Sequence, residues 1–180
     1  MTEAAASART LESRLQGADP RIFAFFRAWR TARREAMVPR RADFDPVGIP
    51  ALLPHVWIYR YDAGLGDFVC RLAGEEVNAA WGRSIRGRTL QEIVGPDDHP
   101  TVLRRWRQIV GVPLIHYGAA AERLSALETR SAERLLLPLA SDGDAADHVL
   151  GISLYRISGA ARSRSALVPE DIVQVPCAEL

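Results

Sequence analysis

Residues 55–72 read HVWIYRYDAGLGDFVCRL, and this stretch decides which kind of fold the chain can adopt. Aromatic and β-branched residues fill 55–61 and most of 67–72, a composition typical of β-strands. The residues between them, 62–66, contain two glycines and one aspartate, which favour turns. Two strands joined by a short loop with glycine predict an antiparallel hairpin. Alternation along the first strand places Trp57 and Tyr59 on one face of the hairpin.

Downstream of the hairpin, the sequence predicts a cluster of helices followed by three strands. Short helical segments are expected at 75–81 and 89–94, and a longer helix is expected to begin at Asp97 and Asp98. Further strands are predicted at 114–122, 133–139 and 149–157. Strands and helices do not alternate one by one, which disfavours a doubly wound parallel sheet. The predicted class is therefore α+β, with an antiparallel sheet and helices packed on one face.

A further helix is predicted upstream of the hairpin, at 19–38. Asp19 suits the N-cap and Pro20 suits the first helical position. The apolar residues fall mostly on one face at helical spacing: Ile22, Phe25, Phe26, Trp29 and Met37. Residues 21–35 also contain five arginines and a single acid. The arginine-rich face is either solvated or binds an anionic partner.

The composition narrows the possible functions of the chain. It has 180 residues, 48% of them hydrophobic, which suits one domain with a substantial core. Its 23 basic and 22 acidic residues leave a net charge of +1, which argues against a nucleic-acid partner. Every basic residue is arginine, so Schiff-base and P-loop lysine chemistry are excluded. No apolar run suits a membrane span or a signal peptide, and a cytoplasmic location is expected.

Motifs for catalysis and for metal binding are missing from the sequence. Neither the nucleophile-elbow pattern G-x-S-x-G nor the zinc pattern H-E-x-x-H occurs. Cys70 and Cys177 form no Cys-x-x-Cys pair, so no metal site is expected. Among the four histidines, His116 lies in mid-strand and could face a pocket, which leaves haem ligation as a minor alternative.

Several segments, in this order and at these distances, resemble a stand-alone PAS-domain subfamily found mainly in alphaproteobacteria. They are PRRADFDP at 39–46, LLP at 52–54, FVCRLAG at 68–74 and LLLPL at 135–139. The resemblance covers roughly residues 20–157. It implies a five-stranded antiparallel sheet, with helices enclosing a pocket over one face. Taken with the helix at 19–38, it gives a division into a flexible N-terminus (1–18), a flanking helix (19–38), a PAS-like domain (39–158) and a C-terminal tail (159–180). Residues 1–18 are rich in alanine, serine, arginine and glutamate and are expected to be frayed helix or disordered.

The resemblance raises the question of whether the chain forms a flavin adduct, because Cys70-Arg71-Leu72 is superficially similar to the cysteine box of light-sensing PAS domains. In those domains the cysteine belongs to a helix and follows an asparagine. Here Cys70 lies in a predicted strand and follows Val69. A buried small hydrophobe is the better interpretation of this cysteine, and the sequence identifies no cofactor.

Nine residues are candidates for the pocket on the inner face of the sheet: Trp57, Tyr59, Phe68, Val77, Trp81, Ile93, Trp106, His116 and Ile152. Large aromatic side chains with a few polar tips suit a small apolar or aromatic ligand. The same residues would also suit an ordinary filled core.

The leading hypothesis is a non-catalytic, cytoplasmic regulatory module that binds a small ligand or a partner protein. It would signal by protein–protein interaction, as a homodimer, because PAS proteins often dimerise through such a flanking helix. The candidate interface residues are Phe25, Phe26 and Trp29. The alternative is a small enzyme or metabolite carrier that uses the same pocket. Its titratable pair would be His116 with Tyr59 or Tyr117.

Overall fold

The computed structural model of the chain contains an antiparallel sheet with helices packed against it. It describes residues 17–123, 129–143, 145–156 and 172–180 together with Leu11, Ser13 and Leu15. Within these residues the strands are β1 (Val56–Asp62), β2 (Asp67–Ala73), β3 (Leu114–Arg123), β4 (Thr129–Ala140), β5 (Ala146–Arg156) and β6 (Ile172–Pro176). Their order across the sheet is β2-β1-β5-β4-β3-β6. The predicted α+β class is confirmed, with an antiparallel sheet, short helices on one face and an additional N-terminal flanking helix.

The hairpin is formed by β1 and β2, with Tyr61 opposite Phe68. The Asp62 carboxylate closes its turn by accepting hydrogen bonds from the backbone amides of Gly64 (3.0 Å) and Leu65 (3.2 Å). An aspartate that bonds its own following backbone is a common way to make such a turn. Local sequence therefore suffices to specify this part of the sheet.

The sixth strand comes from the predicted C-terminal tail. The resemblance implied five strands, but residues 172–176 pair with β3, placing Ile115 opposite Val175. Val175 is buried on the same side as Ile115, which gives this short strand a reason to add to the sheet. The part of the tail at 159–171 lies outside the described residues, as do residues 1–10 of the predicted flexible N-terminus.

The α-helices that the structure describes from end to end are α1 (Pro20–Arg33), α2 (Glu75–Ala80) and α3 (Leu90–Gly111). Asp19 caps α1 as predicted, with its side chain accepting a hydrogen bond from the amide of Arg21. α1 ends five residues earlier than expected, at Arg33, which leaves Met37 exposed beyond the helix. α3 joins two predicted helical segments across a kink at Gly95, whose φ of 82° favours glycine.

Helix α1 covers one face of the sheet and forms with it what we call the outer core. This core contains the α1 residues Ile22, Phe25, Phe26 and Trp29, and the strand residues Leu135, Leu137, Leu139, Leu150, Ile152 and Leu154. The indole nitrogen of Trp29 donates a hydrogen bond to the carbonyl of Pro138 at 2.8 Å. Leu11 and Leu15 are buried in the same core, so these two residues of the predicted flexible N-terminus pack onto the domain.

The prediction that Phe25, Phe26 and Trp29 form an interface with another chain is wrong for this structure. All three side chains are 0% exposed. An apolar stripe on a helix indicates that the stripe is buried, but it does not indicate against what. Here the stripe is covered by the sheet of its own chain.

Helices α2 and α3 cover the opposite face of the sheet and form the inner core. Its buried members are Trp57, Tyr59, Phe68, Cys70, Val77, Ile85, Leu90, Ile93, Trp106, Ile109, Leu136 and Val149. The sheet is therefore a middle layer with helices on both faces. Across the described part of the chain, no helix has the length and apolar character needed to span a membrane.

Candidate functional site

A cavity of about 100 Å³ lies between the inner face of the sheet and helices α2 and α3. The sheet contributes Trp57, Tyr59, His116, Gly118, Ala132, Arg134, Leu136, Ser153 and Tyr155. The helices and the segment between them contribute Val77, Trp81, Ile85, Leu90, Ile93, Val94, Val102, Arg105 and Trp106. The cavity thus has an apolar majority and a minority of polar groups, as ligand sites in proteins commonly do.

An aromatic cluster forms one wall of the cavity. The Trp57 and Trp106 rings are stacked, with centroids 5.2 Å apart and planes 12° apart. Tyr59 meets Trp106 edge-on at 4.9 Å. Trp57 lies directly over Gly151 on the neighbouring strand, where an added Cβ would be 2.1 Å from the indole ring. The absence of a side chain at Gly151 thus makes room for the Trp57 ring.

A polar group lies beside the aromatic wall and is centred on Ser153. Its hydroxyl oxygen accepts hydrogen bonds from the Trp57 indole nitrogen (2.8 Å) and from Arg134 Nε (3.0 Å). The Arg134 guanidinium also lies over the Tyr155 ring, 5.9 Å from its centroid. These contacts hold a positive charge in place at the cavity wall.

His116 is 4% exposed and faces the cavity from β3. Its Nδ1 lies 3.1 Å from the side-chain nitrogen of Gln174, which can only donate. His116 Nδ1 is therefore the acceptor, and in the neutral ring Nε2 carries the proton. Burial, together with the positive charges of Arg105 and Arg134, lowers the pKa of His116 to about 4. The ring is accordingly neutral at pH 7.

Arg105 brings a second positive charge to the cavity, from α3. Burial first, and then the charges of Arg134 and Arg104, lower the pKa of Arg105 from its usual value. Among the residues that the structure describes, none forms a hydrogen bond or an ion pair with Arg105. The described lining of the cavity contains no aspartate or glutamate.

A second, more open cavity of about 350 Å³ adjoins the first, and we call it the vestibule. Its described lining is Thr101, Arg104, Arg105, Gln108, His116, Ile172 and Gln174. Arg105 and His116 line both spaces, so they stand at the boundary between the apolar cavity and the vestibule. β6 contributes Ile172 and Gln174 to the vestibule, a role that no pattern in the sequence indicates.

The structure brings seven of the nine predicted pocket residues together: Trp57, Tyr59, Val77, Trp81, Ile93, Trp106 and His116 all line the cavity. Phe68 lies behind them in the inner core, edge-on to Trp106 at 5.4 Å. Ile152 was assigned to the wrong face of the sheet and packs in the outer core. That these side chains bind a ligand stays a prediction.

Sequence reasoning missed Arg105, Arg134, Ser153 and Tyr155. Alternation along β5 puts Ser153 and Tyr155 on the face opposite Leu150, Ile152 and Leu154, and the apolar face of a strand is the one expected to line a pocket. The suggested pair of His116 with Tyr117 is also wrong, because Tyr117 points to the opposite face and donates to Glu133 Oε1 at 3.2 Å. Tyr59 does line the cavity, and burial raises its pKa well above the usual value.

Neither a flavin nor a haem fits the cavity as it is built. Sites for drug-sized ligands measure roughly 300–1,000 Å³, several times the volume found here. Cys70 lies in β2, and burial raises the pKa of its thiol to about 11, so it is a buried hydrophobe as predicted. No group of three or more potential metal ligands occurs among the described residues.

The low pKa of His116 makes stability depend on pH. As the pH falls below the ordinary value of 6.5, the unfolded chain takes up this proton, whereas the folded chain does so only near pH 4. Stability is therefore lost as the pH falls through this window, by about 3 kcal/mol for this group. The free energy of unfolding of the variant His116→Gln should fall less over the same pH range, and urea unfolding at pH 7, 5.5 and 4 would measure it. An equal fall in the wild type and the variant would contradict this expectation.

Comparisons with known proteins were made for the whole chain. A family model described as PAS domain matches residues 19–154. A search of curated proteins returned no match. The match to the family model covers nearly the same residues as the resemblance drawn from the sequence.

Solved structures similar to this chain include three light-oxygen-voltage (LOV) proteins. The Rhodobacter sphaeroides LOV protein has 15% identity and a TM-score of 0.45, over 58% of this chain and 62% of that one. This chain therefore spans less than two thirds of that protein. The light-state LOV domain of the blue-light photoreceptor Aureochrome1 has 17% identity and a TM-score of 0.45, over 60% and 88%. The LOV domain of a blue-light activated histidine kinase from Erythrobacter litoralis has 16% identity and a TM-score of 0.42, over 56% of this chain and 93% of that domain.

Proposed function

The chain belongs to the PAS domain family, and we propose that it is a non-catalytic sensory module that binds a small ligand and signals through another protein. The observation that carries the proposal is the cavity between the inner face of the sheet and α3. Protein interiors are close-packed, and voids much larger than a water molecule are few. A space of about 100 Å³ lined by aromatic rings and two arginines is therefore a feature to be explained by a ligand.

The sheet offers a physical route from the cavity to the opposite surface. Trp57 lines the cavity, while its neighbours Val56 and Ile58 on the same strand pack in the outer core beneath α1. A ligand that binds one arrangement of the sheet better than another would shift the population of both faces. The output would then be a change in how α1 lies on the sheet.

The exposed side of α1 is the proposed surface for a partner protein. It presents Arg27 and Arg30, while the apolar side is buried. A symmetric dimer through this side would place the same positive charges against each other. Residues 21–35 contain five arginines and a single acid, and this excess of basic residues supports a different partner with an acidic surface. A homodimer stays a prediction, and it would use another surface.

We place the ligand-binding unit at 39–158 and treat 19–38 as its flanking helix, with 172–180 as an addition to the sheet. A cytoplasmic location is proposed as well. It is supported by Cys70 and Cys177, which are both buried and unbridged. Thiols remain reduced in that compartment.

The proposal predicts that filling the cavity removes the ligand. Ala132 is 3% exposed and lines the cavity, so Ala132→Leu places an isobutyl group where the ligand would lie. Native mass spectrometry of the wild-type protein should show an added mass that denaturation releases and that Ala132→Leu reduces at least tenfold. The matched control is Ala24→Leu on the exposed side of α1, which should retain the mass.

A second readout follows the signal. Hydrogen exchange of the α1 amides should differ between the loaded wild type and the Ala132→Leu variant, but not between the wild type and Ala24→Leu. The sensory proposal fails if two results coincide. The purified protein carries no added mass, and no compound of a metabolite panel raises the Tm of the wild type more than it raises the Tm of Ala132→Leu. Identical exchange in loaded and empty protein would remove α1 from the proposed route.

A further inference from the structure

Two arginines on different elements face the same cavity. Arg105 belongs to α3 and Arg134 to β4. The described cavity lining contains no carboxylate that could pair with Arg105. Partly burying a positive charge without a counter-charge is unfavourable. A ligand that supplies a negative charge would offset that cost. The cavity wall is therefore arranged for an anion, although most of its surface is apolar.

The two arginines differ in how they are held. Arg134 is fixed by its hydrogen bond to Ser153 and by its position over Tyr155. Arg105 makes no hydrogen bond or ion pair with any described residue, and it stands where the cavity meets the vestibule. The guanidinium of Arg105 therefore has N–H donors that no described residue uses. A carboxylate can accept two hydrogen bonds from such a guanidinium side by side.

His116 adds a neutral donor to this boundary. Because its Nδ1 accepts from Gln174, its Nε2 carries a proton that an anion can accept. Burial, together with the charges of Arg105 and Arg134, keeps the ring neutral, so His116 faces the boundary as a donor without a charge of its own.

The rest of the cavity suits an apolar body. Trp57, Trp106 and Leu136 surround a space of about 100 Å³. An apolar cavity of about 150 Å³ in another protein holds benzene, so the space here takes a body of one ring or a short chain. A larger body would have to extend into the vestibule.

We propose that the ligand is a small organic carboxylate, with its apolar body in the aromatic cavity and its carboxylate held by Arg105 and Arg134 at the boundary with the vestibule. This inference rests on the proposed function, because it names the ligand class for the same cavity.

The test uses the whole 180-residue chain and matched pairs of acid and neutral amide: benzoate with benzamide, and hexanoate with hexanamide. Isothermal titration calorimetry at pH 7 should show at least one acid binding ten times or more tightly than its amide. Arg105→Gln should weaken the binding of that acid at least tenfold and leave the affinity for its amide unchanged. Arg71→Gln removes the same charge from an exposed position on β2 and should change neither affinity.

The outcomes separate this inference from the proposed function. Equal binding of acid and amide, or no binding of any acid at millimolar concentration, overturns the carboxylate assignment. The sensory function would then still stand if the wild-type protein retains a mass that Ala132→Leu loses. Tighter binding of phenyl phosphate than of benzoate would likewise overturn the carboxylate assignment, since it would show that the arginines select a phosphate.

Discussion

Replacing Trp29 with alanine should lower the free energy of unfolding by about 3–5 kcal/mol. Trp29 is 0% exposed in the outer core, and its ring is stacked with Phe26 at 6.3 Å. The substitution removes this packing and also leaves the Pro138 carbonyl without its indole donor. Urea unfolding followed by circular dichroism would measure the loss, with the slope of the transition expected to stay unchanged.

Trp29→Phe is the matched control, because it keeps an aromatic ring and removes the hydrogen bond to Pro138. This variant should lower the free energy of unfolding by a smaller amount, about 1–3 kcal/mol. If Trp29→Ala instead loses less than about 1 kcal/mol and abolishes self-association, the ring lies between two copies of the chain. That result would restore the interface that the sequence predicted and would contradict the packing of α1 described above.

Placing a methyl group at Gly151 should disrupt the aromatic wall of the cavity. The new Cβ would lie 2.1 Å from the Trp57 ring, so either the ring or the strand has to move. Overpacking of this kind costs typically about 1–3 kcal/mol. Gly151→Ala should therefore lower stability, weaken the near-ultraviolet signal of the Trp57–Trp106 stack and reduce ligand retention.

Two further variants make the Gly151 prediction specific. Gly111→Ala adds the same methyl group at the end of α3, where nothing lies within 4 Å of it, and should be neutral or slightly stabilising. In the double variant Gly151→Ala with Trp57→Ala, the clash is gone, so the two losses should not add. Strict additivity, or an unchanged near-ultraviolet spectrum in Gly151→Ala, would show that the ring does not lie over Gly151.

The hairpin and the order of elements could be predicted from sequence because their causes are local. Alternation along β1, the aspartate–glycine turn and the Asp19 cap each act over a few residues. The same local signals place Trp57 and Tyr59 together. They do not reveal which face of a strand points to the cavity, because that depends on what packs against the sheet.

The misplacement of Ile152 follows from this limit. Apolar alternation along β5 marks the face that α1 covers, with Leu150, Ile152 and Leu154 in the outer core. The cavity face of β5 instead carries Gly151 and Ser153, which look like solvent-facing residues in the sequence. Because the sheet has helices on both sides, the more apolar face is not the one with the cavity. Arg134 and Arg105 were missed for a similar reason, since a charged side chain is assigned to solvent by default.

The strand order has a consequence for how the chain folds. β1 lies second from one edge of the sheet, between β2 and β5. Its contact with β5 joins residues 96 positions apart, as in the Trp57–Ser153 hydrogen bond. The β1–β2 hairpin can form as soon as it is synthesised. The edge of β1 that pairs with β5 stays open until β5 has left the ribosome. Contacts of such long sequence separation slow folding, and an open strand edge invites pairing with other chains. Nascent chains that end before β5 are therefore the form of this protein that depends most on chaperones.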